Sequence, residues 1–231
     1  LSGGLKAVAM TDAVQVILLI FGGLAVSFIA LNIISESNGV IEGMRVVMNE
    51  MPEKFDMVLS ADNSSYKDLP GIWILLGLGV WIGHFFYWGF NQYITQRALA
   101  AKDIKEAQKG VMFAAYLKLL MPIVIVLPGI CAAILFPMLE KSDQAYPTMM
   151  SLLPNGLLGL TFAALIAAIV SSLASMSNSI STIFTMDIYK YFKNDNVSQS
   201  NLIQVGRMTV IVSVLIATLV AQPLLGSFES I

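Results

Sequence analysis

Charge is scarce in this chain. Asp, Glu, Lys and Arg make up 12% of its 231 residues, against 57% apolar, and the apolar residues come in long continuous blocks rather than helical or alternating stripes. That pattern excludes a water-soluble globule and indicates an integral membrane protein. Cysteine is limited to Cys131, so no internal disulfide can form. A formal net charge of −2 gives no footprint for nucleic acid. No Walker-type phosphate loop is present, so nothing points to an ATP-driven pump or to an enzyme. The chain opens at Leu1 without a basic, short-hydrophobic, small-residue leader, and it reads as a fragment of a longer polypeptide.

Carboxylates are also missing from the centre of every apolar block. Asp12 and Asp187 lie near block ends, leaving His84 and Lys118 as the ionisable candidates within them. A proton-driven carrier needs a titrating group inside the membrane. Sodium is therefore favoured as a coupling ion, with no organic cofactor.

What is present divides into five blocks, each read as a membrane-crossing helix: about 8–34, 69–99, 110–136, 156–186 and 208–225. No linker is long enough to separate domains, so 1–231 reads as one all-α, polytopic membrane unit. Lys and Arg concentrate between Arg97 and Lys109 and between Lys190 and Arg207, which puts those loops on the cytoplasmic side of a cell membrane; the acidic 35–68 and 137–155 loops face outward. In the first outer loop Val40, Met44, Val47 and Met51 recur at helical spacing opposite Glu42, Arg45 and Asn49, which predicts a short amphipathic helix. The Asn63-Ser64-Ser65 triplet matches a glycosylation acceptor, a pattern common by chance.

The second block carries the most distinctive stretch, WIGHFFYWGFNQYITQRALAAK, from Trp81 to Lys102. No charge falls between Asp68 and Arg97. A straight helix of that length overshoots the ~20 residues a bilayer needs, so the segment must tilt or break, and Gly77, Gly79, Gly83 and Gly89 offer places for a break. Discontinuous helices are where secondary transporters bind substrate. His84 either lines such a path or bonds a backbone carbonyl as a buried histidine. Tyr87 and Trp88 fit either an interfacial aromatic belt or, because they lie near the middle of their block, a stacking or gating role in which their faces cover the C–H surface of a sugar. Lys118, in the third block, either snorkels toward the cytoplasm or contacts substrate.

The fourth block is rich in alanine and serine. Ala164, Ala168 and Ser172 fall at four-residue spacing, as do Ala167, Ser171 and Ser175, with Asn178 and Thr182 continuing that side. Small residues at this spacing let membrane helices pack closely. Adjacent serine hydroxyls beside a helix carbonyl also suit Na⁺, and the two readings are compatible.

The segments GGLKAVAMTDAVQ, YWGFNQYITQRALAAKD, EAQKGVMFAAYLKLLMP and FAALIAAIVSSLASMSNSISTIFTMDIYK resemble the sodium/solute symporter family, specifically its sodium/glucose (SGLT) cotransporter branch, near the bacterial sodium/galactose transporters. The resemblance covers nearly the whole chain, with the motifs in family order. It implies a LeuT-like core of two inverted five-helix repeats, of which this chain would hold the last helix of the first and four of the second. It also implies a sodium site using the Ala168 carbonyl and the Ser171 and Ser172 hydroxyls, completed by carbonyls from the missing remainder of the polypeptide. Tyr87 corresponds to an aromatic inner gate, and Lys118 to a lysine that bonds sugar hydroxyls. His84 stands where the galactose transporters carry asparagine; an imidazole still offers one donor and one acceptor. The implied activity is sodium-coupled symport of a glucose- or galactose-like sugar. Alternatives are a symporter of myo-inositol or of a non-sugar solute, a channel whose pore the fourth block lines, or a membrane sensor.

Overall fold

The computed structural model describes residues 4–56, 58–63, 66, 77–193 and 197–228, and every described regular element is helical. Ser64, Ser65 and residues 69–76, and with them part of the acceptor triplet and the start of the second block, lie outside the described residues. Helix α1 spans Gly4–Ile34 and α2 Val40–Glu50. The second block gives α3, Leu78–Phe85, continued by a π turn over Phe86–Phe90, then α4, Gln92–Leu99. Helix α5, Ile104–Lys118, leads through a π turn at Pro122–Val126 into α6, Leu127–Leu135. The short α7 spans Ala145–Met150; α8 spans Asn155–Ile183 and ends through a π turn at Phe184–Tyr189; α9 spans Gln199–Phe228.

Four stretches are long and apolar enough to cross a membrane: Ala9–Ile34, Ile104–Leu135, Asn155–Phe192 and Gln199–Ala221. On α9, Met208, Ile211, Val212, Leu215, Ile216 and Leu219 are all exposed. An apolar surface of that extent is stable against lipid, not water. This is a multi-pass membrane protein.

The core lies between α1, α2, α6, α7 and the start of α8, around Val26, Ala30, Leu31, Val47, Cys131 and Met149. The amphipathic helix forms as the pattern predicts: Val47 and Gly43 are buried, Val40 and Met44 pack against the core, and Glu42 and Arg45 pair on the outer face at 2.7 Å. Gly43 is the close-approach residue, since a Cβ there would lie 2.0 Å from the Leu31 carbonyl oxygen.

The π turn in the third block has a traceable cause. Leu127 donates its N–H to the carbonyl of Pro122 rather than Ile123, and Pro128 has no N–H to offer. The Ile123 carbonyl is thereby stranded within the helix. The buried Ser27 hydroxyl of α1 donates to it at 2.5 Å, satisfying the oxygen and tying α1 to the turn.

The second block also breaks at a residue the glycines do not mark. Gly77 is extended before α3 (φ −80°, ψ −171°), and Asn91 is also extended (φ −82°, ψ 109°), its side chain accepting the Tyr93 N–H at 3.1 Å to cap α4. Gly83 sits inside α3 and Gly89 inside the π turn. An asparagine supplies the acceptor that the orphan N–H groups of a new helix need, whereas a glycine supplies only freedom.

Candidate functional site

Two groups of polar side chains stand out. The first lies where α1, α4 and α8 meet. Along α8, Thr161, Ala164, Ser171, Ser175 and Ser179 form a buried stripe, and α1 packs along it closely enough that a Cβ on Gly22 would lie 2.6 Å from a Thr161 side-chain atom. The small residues thus do perform close packing, as their spacing predicts.

The same stripe carries a polar network. The Ser171 hydroxyl donates to Asp12 Oδ1 of α1. The other carboxylate oxygen accepts from Arg97 of α4 at 2.6 Å, and Arg97 also donates to the Ser175 hydroxyl at 2.7 Å. Its neighbour Gln96 is buried and saturated: the amide nitrogen donates to the carbonyls of Tyr93 and Ser175, and the amide oxygen accepts from Asn178 at 2.9 Å. Arg97 also lies over the Tyr93 ring, 5.9 Å from its centroid. The lower arm of the broken second block is therefore fastened to α8 and α1 by hydrogen bonds and charge.

Sequence reasoning placed Asp12 and Arg97 only at block ends. The available signal was two opposite charges at same-side ends of two apolar blocks. Ala168 and Ser172, one turn apart, are half-buried beside this stripe, and the Ser172 hydroxyl makes no hydrogen bond to the described residues. Ser171 and Ser172 point about 100° apart on the helix, so one hydroxyl serves the α1 contact while the other stays available.

The second group is aromatic. Tyr87 and Trp88, within the π turn, meet edge to face with centroids 5.0 Å apart. Lys118, the last residue of α5, brings Nζ to 4.1 Å from the Trp88 ring centroid. It lies fourteen residues beyond Ile104, about 21 Å along the axis at 1.5 Å per residue. Lys118 is exposed, and its ammonium lies over the Trp88 ring. His84 precedes Tyr87 and Trp88 by three and four residues, the spacing of one helix face. It is exposed and makes no hydrogen bond to the described residues.

Comparison with known proteins adds the lineage. The chain is 45% identical over 241 residues to a Vibrio parahaemolyticus protein named Sodium/glucose cotransporter, covering 97% of this chain and 44% of that relative. It is 36% identical over 235 residues to an uncharacterized symporter of Escherichia coli (strain K12), covering 98% and 39%. It is 35% identical over 255 residues to the human Sodium/myo-inositol cotransporter 2, covering 94% and 36%. The chain thus spans less than half the length of these relatives. The model of the Sodium:solute symporter family matches residues 1–225. On that match, and on four apolar membrane-length helices, the chain belongs to the sodium:solute symporter family.

Proposed function

We propose that the protein to which this chain belongs carries out sodium-coupled secondary active symport of a sugar by alternating access, and that this chain supplies part of both sites. The observation that carries the reading is the contact of Ser171 on α8 with Asp12, next to a Ser172 hydroxyl that makes no hydrogen bond among the described residues. A hydroxyl that gives its hydrogen to a carboxylate keeps its lone pairs for a cation. Asp12 thus orients Ser171 as a sodium ligand, and the Ala168 carbonyl and Ser172 hydroxyl complete this chain's share of the site. Further ligands come from outside the chain.

The substrate meets the broken second block. Tyr87 closes against it, Lys118 donates to hydroxyls, and His84 and Trp88 line the same region. The Arg97, Gln96 and Asn178 contacts fasten the arm below the break to α8. Sodium at Ser171 and Ser172 therefore acts on the helix that holds this arm. Coupling of that kind requires each ligand to favour the same arrangement, and it is reciprocal.

The names of the Vibrio and human relatives support a sugar or a cyclic polyol. Myo-inositol is the second reading, supported by the name of the human relative. The test is uptake of labelled glucose, galactose and myo-inositol into proteoliposomes bearing the full-length protein, with an inward sodium gradient against a potassium gradient. Saturable, sodium-dependent uptake of one sugar is expected. Uptake of none of them, with sodium-driven uptake of a non-sugar solute, overturns the sugar assignment; current without saturation overturns symport.

A further inference from the structure

Lys118 carries a charge deep within a membrane-length stretch, and among the described residues its ammonium has no carboxylate partner. Its contact is the Trp88 face, at 4.1 Å. Trp88 and Tyr87 in turn meet at an interplanar angle of 82°. Both ends of the contact adjoin irregular backbone: Trp88 lies within the π turn at Phe86–Phe90, and Lys118 four residues before the one at Pro122–Val126. Such turns often accompany functional sites because they re-aim side chains.

We propose that Trp88 is a positioning residue acting through Lys118, rather than a surface on which the sugar stacks. This rests on the sugar-symport reading and gives it a specificity device. The ring face attracts the ammonium through its quadrupole without neutralising it. A carboxylate in the same place would take up the N–H donors and cancel the charge. Seated on the ring, Lys118 keeps donors free for the lone pairs of a neutral hydroxyl, and its uncancelled charge repels cationic solutes. Because Tyr87 contacts the same indole, the gate ring and the lysine share one neighbour. The ligand class this selects is a neutral polyol presenting a hydroxyl oxygen to Lys118.

The test is a double-mutant cycle in the full-length protein, read as sodium-driven sugar uptake and, separately, as the rate at which Lys118 is reductively methylated, measured by peptide mass spectrometry. Trp88→Leu should raise the sugar KM about tenfold with kcat little changed, and Trp88→Phe, which keeps an aromatic face, should recover most of that loss. Lys118→Met should raise KM similarly, and the Trp88→Leu/Lys118→Met pair no further than Lys118→Met alone. Methylation of Lys118 should be several-fold faster in Trp88→Leu than in the parent, whatever the substrate is. Multiplying effects in the pair, Trp88→Phe as impaired as Trp88→Leu, or unchanged methylation would each overturn the proposal while leaving sugar symport standing. Faster methylation in a protein that moves no sugar would sink the sugar reading and the specificity role built on it, leaving only the lysine seat.

Discussion

Arg97 and Asp12 meet at 2.6 Å although 85 residues separate them, joining the arm below the break in the second block to the first helix. Both side chains are partly shielded, at 34% and 24% exposure, so the pair lies between an exposed ion pair of little value and a buried one whose rupture is costly. Asp12→Asn or Arg97→Ala should each destabilise the full-length protein by about 1–3 kcal/mol. The exchange Asp12→Arg/Arg97→Asp should recover part of the Arg97→Ala loss but not the Ser171 contact. Thermal unfolding of the three variants and the parent in detergent checks this; an exchange variant no more stable than Arg97→Ala would show that the pair is not coupled.

Gly43 is fixed by the backbone of α1. A Cβ would fall 2.0 Å from the Leu31 carbonyl oxygen and 2.6 Å from its carbon, atoms that cannot rotate away. Gly43→Ala should cost at least about 2 kcal/mol. Gly83→Ala, where nothing lies within 4 Å of the new methyl, should be close to neutral. Comparing the two melting temperatures separates steric contact from a general glycine effect.

Ser27 answers the carbonyl that Pro122 and Pro128 strand in the third block. Ser27→Ala leaves the Ile123 oxygen without its donor at 2.5 Å, at a cost of about 1–3 kcal/mol. Ser27→Thr keeps the hydroxyl and should recover stability if the methyl is accommodated. Equal melting temperatures for Ser27→Ala and the parent would contradict this account of the π turn.

These cases show what the sequence carries and what it does not. Apolar blocks and the amphipathic α2 are legible because burial repeats with the helix. The break is legible as an excess of length, but its position is not. Glycines mark where a chain can bend, whereas Asn91 marks where a new helix can be capped. The π turns shift the helical phase by one residue and leave no periodic trace, although the Pro122–Pro128 pair hints at lost donors. Ser171 is legible from its motif. Asp12 is not, because only the packing of α1 against α8 turns the end of one block into the partner of another's middle.

Outside the membrane-spanning helices, burial raises the Tyr146 phenol above its ordinary 10.0. The folded state therefore holds the proton more tightly than the unfolded chain. The associated stability is fully present below the unfolded value and is lost as pH rises through the higher folded one. Unfolding followed from about pH 8 to 11 should show a late alkaline decline that Tyr146→Phe reduces. An unchanged decline in that variant would assign it to other groups.

The central claim is that the hydroxyls of Ser171 and Ser172 hold the coupling ion, and the most direct measurement is the sodium-activation curve of solute uptake by the full-length protein. Ser172→Ala should need at least about tenfold more sodium for half-maximal uptake, equivalent to about 1.4 kcal/mol, with solute affinity recovered at saturating sodium. An activation curve that superimposes on that of the parent would place the ion elsewhere and contradict the account.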